Sequence, residues 1–529
     1  MTTEDGLKAE DGLKTYREVE QKLRVHAFFS MPEFTELAAV SKVTAEEVRV
    51  MEAVYHDTED LRLFRWKITL RRRVGGPDAG WHMKFPVDGE DGSVRDELQL
   101  PLSAGEEGQV PSALTDLVAA LIRDKPLIAV ASLHTERLPF ILHDADGEAA
   151  VELVDDTVSI MDGERVAERF REIEVEALTP ADAHGAVMVQ VATLLQAHGA
   201  IPATTSKAAT AVGPRALQPA DVTEPGPVSP TDSAGAAVSA HLARHIRRFL
   251  LQDVRVRRDL PDAVHQMRVA ARRIRSGLKG FGPLVDDEWS QHLRAELGWI
   301  AGELGAVRDT EVMIARLNER AVDLPPDEAD LAQTAIDRIL GARIIDARSH
   351  ALAALRSERH LKLCTVLVAA ANAAKLTPEA NESCAEVLPG LVEKTWKKLE
   401  KDVARLHIDS AAHPWHETRI AGKKARYAAE AVEPVFGRRA KPLAKALAQV
   451  TEILGDHQDA HVAQLTLKSL ATDDTVDAAT GFAMGLLYGL EIDYEMGLRH
   501  EFRRVWPKIQ DIHDQTQLTE RTQSNGDDG

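Results

Sequence analysis

Residues 16–24 read YREVEQKLR, and the alternation in this stretch decides the fold of the N-terminal part of the chain. On a strand, Glu18, Glu20 and Lys22 share one face, and Val19, Gln21 and Leu23 share the other. Two carboxylates beside an ammonium suit a place where a metal and an anion meet. Carboxylate oxygens hold a hard cation, and the cation together with lysine holds phosphate. A solvated strand face with cross-strand ion pairs would show the same pattern.

Outward from this stretch the period of two persists. Tyr16–Arg24, Ile68–Val74, Trp81–Phe85, Val94–Leu100, Ala150–Ile160 and Phe170–Leu178 read as short strands parted by Gly, Pro or Asp turns, with helical pieces near 31–39, 111–123 and 181–198. RLFRWKITLRRR puts Arg71 and Arg73 on one face with Arg65 shortly before, WHMKFP adds Lys84, SVRDELQL aligns Arg95, Glu97 and Gln99, and LHTERLPF adds Arg137. Acids return in VELVDDTVSI (Glu152, Asp155, Asp156) and FREIEVEAL (Glu172, Glu174, Glu176). Each strand therefore has a charged face. Either a sandwich turns that charge to water, or a closed barrel gathers it in a lumen, acids for metal and bases for a polyanion.

Composition limits the classes. Hydrophobic residues at 44% and charged residues at 28% describe a globular chain, and 529 residues suffice for three or four compact units at about 150 residues each. Lys and Arg number 64 against 84 Asp and Glu, a formal charge of −20, which argues against a surface built for nucleic acid. Two cysteines, Cys364 and Cys384, exclude a disulfide framework and a Cys-rich zinc site. No uncharged apolar run reaches the roughly 18 residues that a bilayer requires. The opening MTTEDGLKAEDGLK is too acidic for a secretory signal, so a cytoplasmic protein is expected.

The segments ExExK (Glu18, Glu20, Lys22), YHDT with LRRR (Tyr55–Thr58, Leu70–Arg73), Lys84, RDE, DDTV and EIEVE, in this order, resemble the CYTH domain. That family includes inorganic triphosphatases, thiamine triphosphatases and class IV adenylate cyclases. The resemblance implies a tunnel of eight antiparallel strands that binds triphosphate with a divalent metal, Mg²⁺ or Mn²⁺. It implies metal binding by Glu18, Glu20, Glu174 and Glu176 with Asp156, and substrate binding by Lys22, Arg65, Arg71, Arg73, Lys84, Arg95 and Arg137. Lys22 and Glu97 become the catalytic candidates, with Glu174 or Glu176 as alternative bases. Gln99 stands where a second acid on its strand is expected, which counts against a two-metal site.

Residues 203–231, rich in Pro, Ala, Ser and Thr, read as a linker between a first domain at 14–202 and a helical domain at 232–512, with a disordered tail at 513–529. Beyond the linker the period becomes 3.6 and a repeat emerges. HQMRVAARRIR (265–275) and HETRIAGKKAR (416–426) both carry His, Arg three positions on, paired cations at seven and eight, and Arg at ten. About forty residues later each is followed by Leu-Gly and an Asp four past the Gly (Leu304, Gly305, Asp309; Leu454, Gly455, Asp459), so two copies of one helical unit are expected as a pseudo-symmetric pair. On a helix, His265, Arg268, Arg272 and Arg275 form one stripe, as do His416, Arg419, Lys423 and Arg426. Like charges so spaced repel unless an anion or an acid faces them; Asp309 and Asp459 are candidate internal partners.

These segments resemble the CHAD domain, a helical module associated with inorganic polyphosphate and often fused behind a CYTH domain. The resemblance implies two related four-helix bundles whose stripes bind polyphosphate. Aromatic residues at 5% disfavour stacking on single-stranded nucleic acid. The expected whole is an inorganic triphosphatase, an acid anhydride hydrolase, tethered to a polyphosphate-binding domain and associated with polyphosphate granules in the cytoplasm. A non-catalytic polyphosphate-binding protein and an adenylate cyclase are the rivals.

Overall fold

The computed structural model describes residues 13–87, 94–178, 185–203, 205–516 and 518. Two compact units divide at Asp221/Val222.

The first unit contains β1 (Lys14–Val25), β2 (Lys42–Ala45), β3 (Arg49–Asp57), β4 (Thr69–Val74), β5 (Gly80–Pro86), β6 (Val94–Pro101), β7 (Ile128–His143), β8 (Ala149–Asp162), β9 (Arg165–Ala177) and β10 (Ile201–Pro202). Eight of them close a barrel in the order β1-β6-β5-β4-β3-β7-β8-β9-β1, every pairing antiparallel. Strand β1 closes the ring by lending residues 14–19 to β6 and 20–25 to β9. Its apolar face, with Leu23 and Val25, turns outward. There it packs with Ile173 and Val175 of β9 under the helix Ala186–Ala197, whose Val187, Met188, Val191 and Leu195 complete the layer. Covering the outside with a helix leaves the charged face to the lumen. The barrel is the alternative that the structure selects over a sandwich.

The short helices are α1 (Arg62–Arg65), α2 (Ser112–Leu117), α3 (Ala119–Ile122), α4 (Ala186–Ala197) and α5 (Lys207–Val212). Helix α5 corrects the linker reading of 203–231. Ser206 caps it by accepting from the Ala209 amide, and Ala208, Ala209 and Ala216 are buried against Ala53, Tyr55, Leu133, Val158 and Ile160. Those barrel residues share the luminal face with Met51, Arg137 and Asp156, so α5 fills one end of the barrel. The helical piece expected at 31–39 shrinks to one 3₁₀ turn, Phe34–Glu36.

The second unit is helical: α6 (Ala234–Arg257), α7 (Ala263–Gly280), α8 (Asp287–Ala321), α9 (Pro326–Arg356), α10 (Glu358–Asn372), α11 (Cys384–Val403), α12 (Ala412–Phe436), α13 (Lys441–Ala471) and α14 (Ala478–Gln515). Ser233 caps α6 and a Ser383/Glu386 capping box opens α11, the corresponding helix of the second copy. Helices α6–α9 pack consecutively, and so do α11–α14. Across the pair α7 meets α12 and α9 meets α14, as a two-fold relation requires. Met313 and Leu317 of α8, Ile336 of α9, Leu467 of α13 and Leu487 of α14 share one core. Helix α14 runs to Gln515, three residues into the expected tail; residues 517 and 519–529 of that tail lie outside the described residues. Among the described residues no helix is long and apolar enough to cross a membrane.

A buried ionic cluster joins α6 to α10. His360 Nε2 lies 2.6 Å from Asp253 Oδ2, and Asp253 also accepts from Arg257 Nε at 2.6 Å, all with fully buried side chains. Burial opposes charge on His360, yet Cys364 and Asp253 hold its pKa up to about 10. A cation stabilised in the folded state contributes stability below its unfolded pKa near 6.5, and that contribution is lost as pH rises toward 10. His360→Gln is therefore expected to destabilise the protein by about 3 kcal/mol at pH 6.5 and by much less at pH 10, as read by denaturant melts at both pH values.

Candidate functional site

The lumen encloses a cavity of ≈ 450 Å³ lined by Glu18, Glu20 and Lys22 of β1, Tyr55 of β3, Arg71 and Arg73 of β4, Lys84 of β5, Arg95 and Glu97 of β6, Arg137 of β7, Glu174 and Glu176 of β9, and Lys207 of α5. Pairing brings the charges together: Glu20 lies opposite Glu176, Lys22 opposite Glu174, and Lys84 opposite Glu97.

The acids gather where β1 meets β9. Lys22 Nζ sits 2.5 Å from Glu20, and Lys84 Nζ 2.5 Å from Glu18. Burial pushes the pKa of Glu18 up, since Lys84 only partly offsets it and Glu20 and Glu97 add to it. Glu20 goes the other way, as Lys22 and Lys84 outweigh its burial. For Glu176 burial and then Glu18 outweigh the relief from Lys84, and Glu20 and Glu174 add to the rise, to about 8. Glu18 Oε2 is buried with no hydrogen-bond partner. Among the described residues no three such side chains already surround a metal position, because Lys22 and Lys84 hold two of the carboxylates. The donors nevertheless fit a hard divalent cation. All are carboxylate oxygens, one is orphaned, and their mutual repulsion is what a cation would relieve.

The bases crowd the remaining wall. Arg71 Nη1 donates to the Tyr55 hydroxyl at 3.4 Å. Burial, then the neighbouring Arg71 and Arg137, disfavour charge on Arg73. The Nε atoms of Arg71 and Arg73 are buried without partners. Guanidinium groups held so close with donors unused form a site for an anion with many oxygens.

Two expected residues stand elsewhere. Arg65 is on the one-turn helix α1, and its Nε donates to the Pro219 carbonyl at 2.7 Å, away from the cavity. The chain turns at Leu61–Trp66 before β4 begins, so Arg65 never joins the strand that carries Arg71 and Arg73. Asp156 is luminal in register but fully buried behind Arg137, which it binds through both oxygens at 2.8 and 2.7 Å, and it also receives Lys207 at 2.6 Å. Glu174 is engaged by the same two cations, Oε1 by Lys207 at 2.7 Å and Oε2 by Arg137 at 2.9 Å, but Glu174 lines the cavity whereas the fully buried Asp156 does not.

Sequence reading missed Lys207, Tyr55 and His82. Lys207 Nζ reaches Glu174 at 2.7 Å besides Asp156. The signal for it was Ser206 followed by Lys-Ala-Ala, a helix start inside an apparent linker.

In the helical unit the two stripes meet where α7 packs on α12. The Arg272 guanidinium lies over the Tyr427 ring at 5.7 Å, and the Nε atoms of Arg272 and Arg419 are buried without partners. Burial, then Arg419 and Arg272, push Lys423 down to about 7. Arg268 pairs with Asp309 at 2.8 Å, and Arg419 with Asp459 at 3.9 Å, the same contact in each copy. His416 Nδ1 is 2.7 Å from Gln458 Oε1. Burial is the first cause that lowers the pKa of His265, followed by Arg308. Arg275 turns to the Arg294 carbonyl and Arg426 to Glu430 and Thr451. Arg272, Arg419 and Lys423 thus form the converging centre, flanked by Arg268.

Residues 16–208 match the CYTH domain and residues 240–468 the CHAD domain. Two Mycobacterium tuberculosis proteins, both described as uncharacterized, are 32% identical over 520 residues, covering 93% of this chain and 96% of each relative. PptA from Streptomyces chartreusis is similar at 26% identity over 52% of this chain and 100% of its own, with a TM-score of 0.45. The CHAD domain from the plant Ricinus communis is similar at 29% identity over 53% and 94%, with a TM-score of 0.44. CYTH domains are triphosphate tunnel enzymes, triphosphatases or cyclases, that generally use divalent metals. The chain belongs to the family in which a CYTH domain precedes a CHAD domain.

Proposed function

We propose that the barrel hydrolyses inorganic triphosphate, or a related organic triphosphate, with Mg²⁺ or Mn²⁺, and that the helical unit binds polyphosphate. The observation that carries this reading is one cavity in which carboxylates of β1 and β9 face Lys22, Arg71, Arg73, Lys84, Arg137 and Lys207. A divalent cation held by Glu18, Glu20, Glu174 and Glu176 would supply charge neutralisation at the phosphate oxygens. The guanidinium groups bind the chain of phosphates, with Arg95 at the same wall, and Lys22 and Lys84 stabilise charge as it shifts to the leaving group. Water attacks the terminal phosphorus in line; its oxygen forms the new P–O bond, and the bridging oxygen leaves with the electron pair of the bond that breaks. Burial alone would raise the pKa of Glu97, but Lys84, the hydrogen bond to His82 and Arg71 keep it well below the carboxylate range. It is therefore ionised and able to orient the water and accept its proton. A loose transition state asks more for orientation than for a strong base.

Phosphate release from tripolyphosphate, measured with Mg²⁺, with Mn²⁺ and with chelator, tests the reading: release should require metal. Absence of release from every inorganic and nucleoside triphosphate under either metal would leave the polyphosphate-binding protein as the function. Lys207→Ala is expected to raise KM for tripolyphosphate about tenfold, since a charge-assisted contact contributes roughly 1.5–3 kcal/mol. Arg65→Ala should leave kcat/KM within about twofold, because its guanidinium serves a carbonyl outside the cavity. Two free, buried cysteines, Cys364 and Cys384, support a cytoplasmic setting; a place near polyphosphate stores rests on the proposed binding by the helical unit.

A further inference from the structure

Glu97 is held by a neighbour that does not itself line the cavity. His82, 1% exposed on β5, places Nδ1 2.8 Å from Glu97 Oε1 and Nε2 2.9 Å from the Asp78 carbonyl. The ring sits between the β4–β5 turn and β6, with an acceptor oxygen facing each nitrogen. Glu97 Oε1 and the Asp78 carbonyl both only accept, and a neutral ring with its one N–H donates to one of them at a time; ionised Glu97, the stronger acceptor, selects the form with the proton on Nδ1. The imidazole therefore donates to one carboxylate oxygen and removes the freedom of the Glu97 side chain to swing toward Lys84 or Arg71, which lies 4.0 Å away.

We propose that His82 is a positioning residue for hydrolysis, fixing the Glu97 carboxylate in the orientation from which it aligns the attacking water. The inference rests on the triphosphatase reading and goes beyond it, since His82 touches neither substrate nor metal in that scheme. A misaligned carboxylate affects the chemical step while leaving the cations that bind phosphate in place.

The test is steady-state kinetics of tripolyphosphate hydrolysis by the full chain with saturating Mg²⁺, for wild type, His82→Leu and His82→Asn. The leucine variant keeps bulk and loses the donor, and its kcat should fall about 10- to 100-fold with KM within about twofold. Asparagine sets an amide nitrogen near the place of Nδ1 and should restore kcat to within about threefold of wild type. Equal kcat in wild type and His82→Leu, a change confined to KM, or an asparagine variant that folds but is as impaired as leucine overturns the proposal. A wild-type protein that releases no phosphate overturns the triphosphatase reading as well, so the two failures are distinct.

Discussion

Glu18→Ala is expected to lower metal-dependent phosphate release from tripolyphosphate about 10³-fold, equivalent to about 4 kcal/mol of transition-state stabilisation. Two losses combine. The substitution removes an oxygen with no partner in the protein, Oε2, which is the donor most ready for a cation. It also frees Lys84, whose ammonium lies 2.5 Å from Glu18 Oε1. Raising Mg²⁺ should recover part of the activity if the lost donor dominates. Arg65→Ala is the control, and a thermal melt of each variant separates loss of chemistry from loss of fold. Activity within tenfold of wild type for Glu18→Ala would remove β1 from the metal site.

Arg268→Ala combined with Arg419→Ala is expected to weaken polyphosphate binding about 10²-fold or more at 0.1 M salt, two charge-assisted contacts at roughly 1.5–3 kcal/mol each. The slope of log K against log salt should flatten by about 1.4, near 0.7 for each neutralised phosphate on a flexible strand. The two arginines occupy the same place in the two copies, each beside its own acid, Asp309 and Asp459. Binding must draw them from those acids, so Asp309→Asn should act in the opposite direction and tighten binding. Titration calorimetry from 0.05 to 0.5 M salt reads both variants against wild type. A double variant with unchanged affinity and slope would return both stripes to the role of solvated helix faces.

The charged lumen was legible because a strand has a period of two, and YREVEQKLR and FREIEVEAL declare it without interruption. The helical repeat was legible through offsets that survive substitution, such as Arg272 and Arg273 for Lys423 and Lys424. Strands β3 and β7 were not, for physical reasons. Strand β7 contains Pro139, which reads as a break, while RVMEAVYHD in β3 mixes acidic and apolar residues on its outer face. Depth was hidden as well: Asp156 and Glu174 look alike in sequence and both bind Arg137, yet Glu174 lines the cavity and Asp156 is fully buried. Composition misled at α5, where alanines typical of a linker are small enough to pack inside a barrel.

That stopper gives the pore a blind end. In the proposed triphosphatase, a linear phosphate chain would enter by one mouth only, terminus first, with its remainder outside while the leading unit is removed, and products would leave against the direction of entry. Such an enzyme would trim ends rather than cut a polymer at its middle, and the length of chain it grips would be set by the distance from the rim to the ammonium of Lys207.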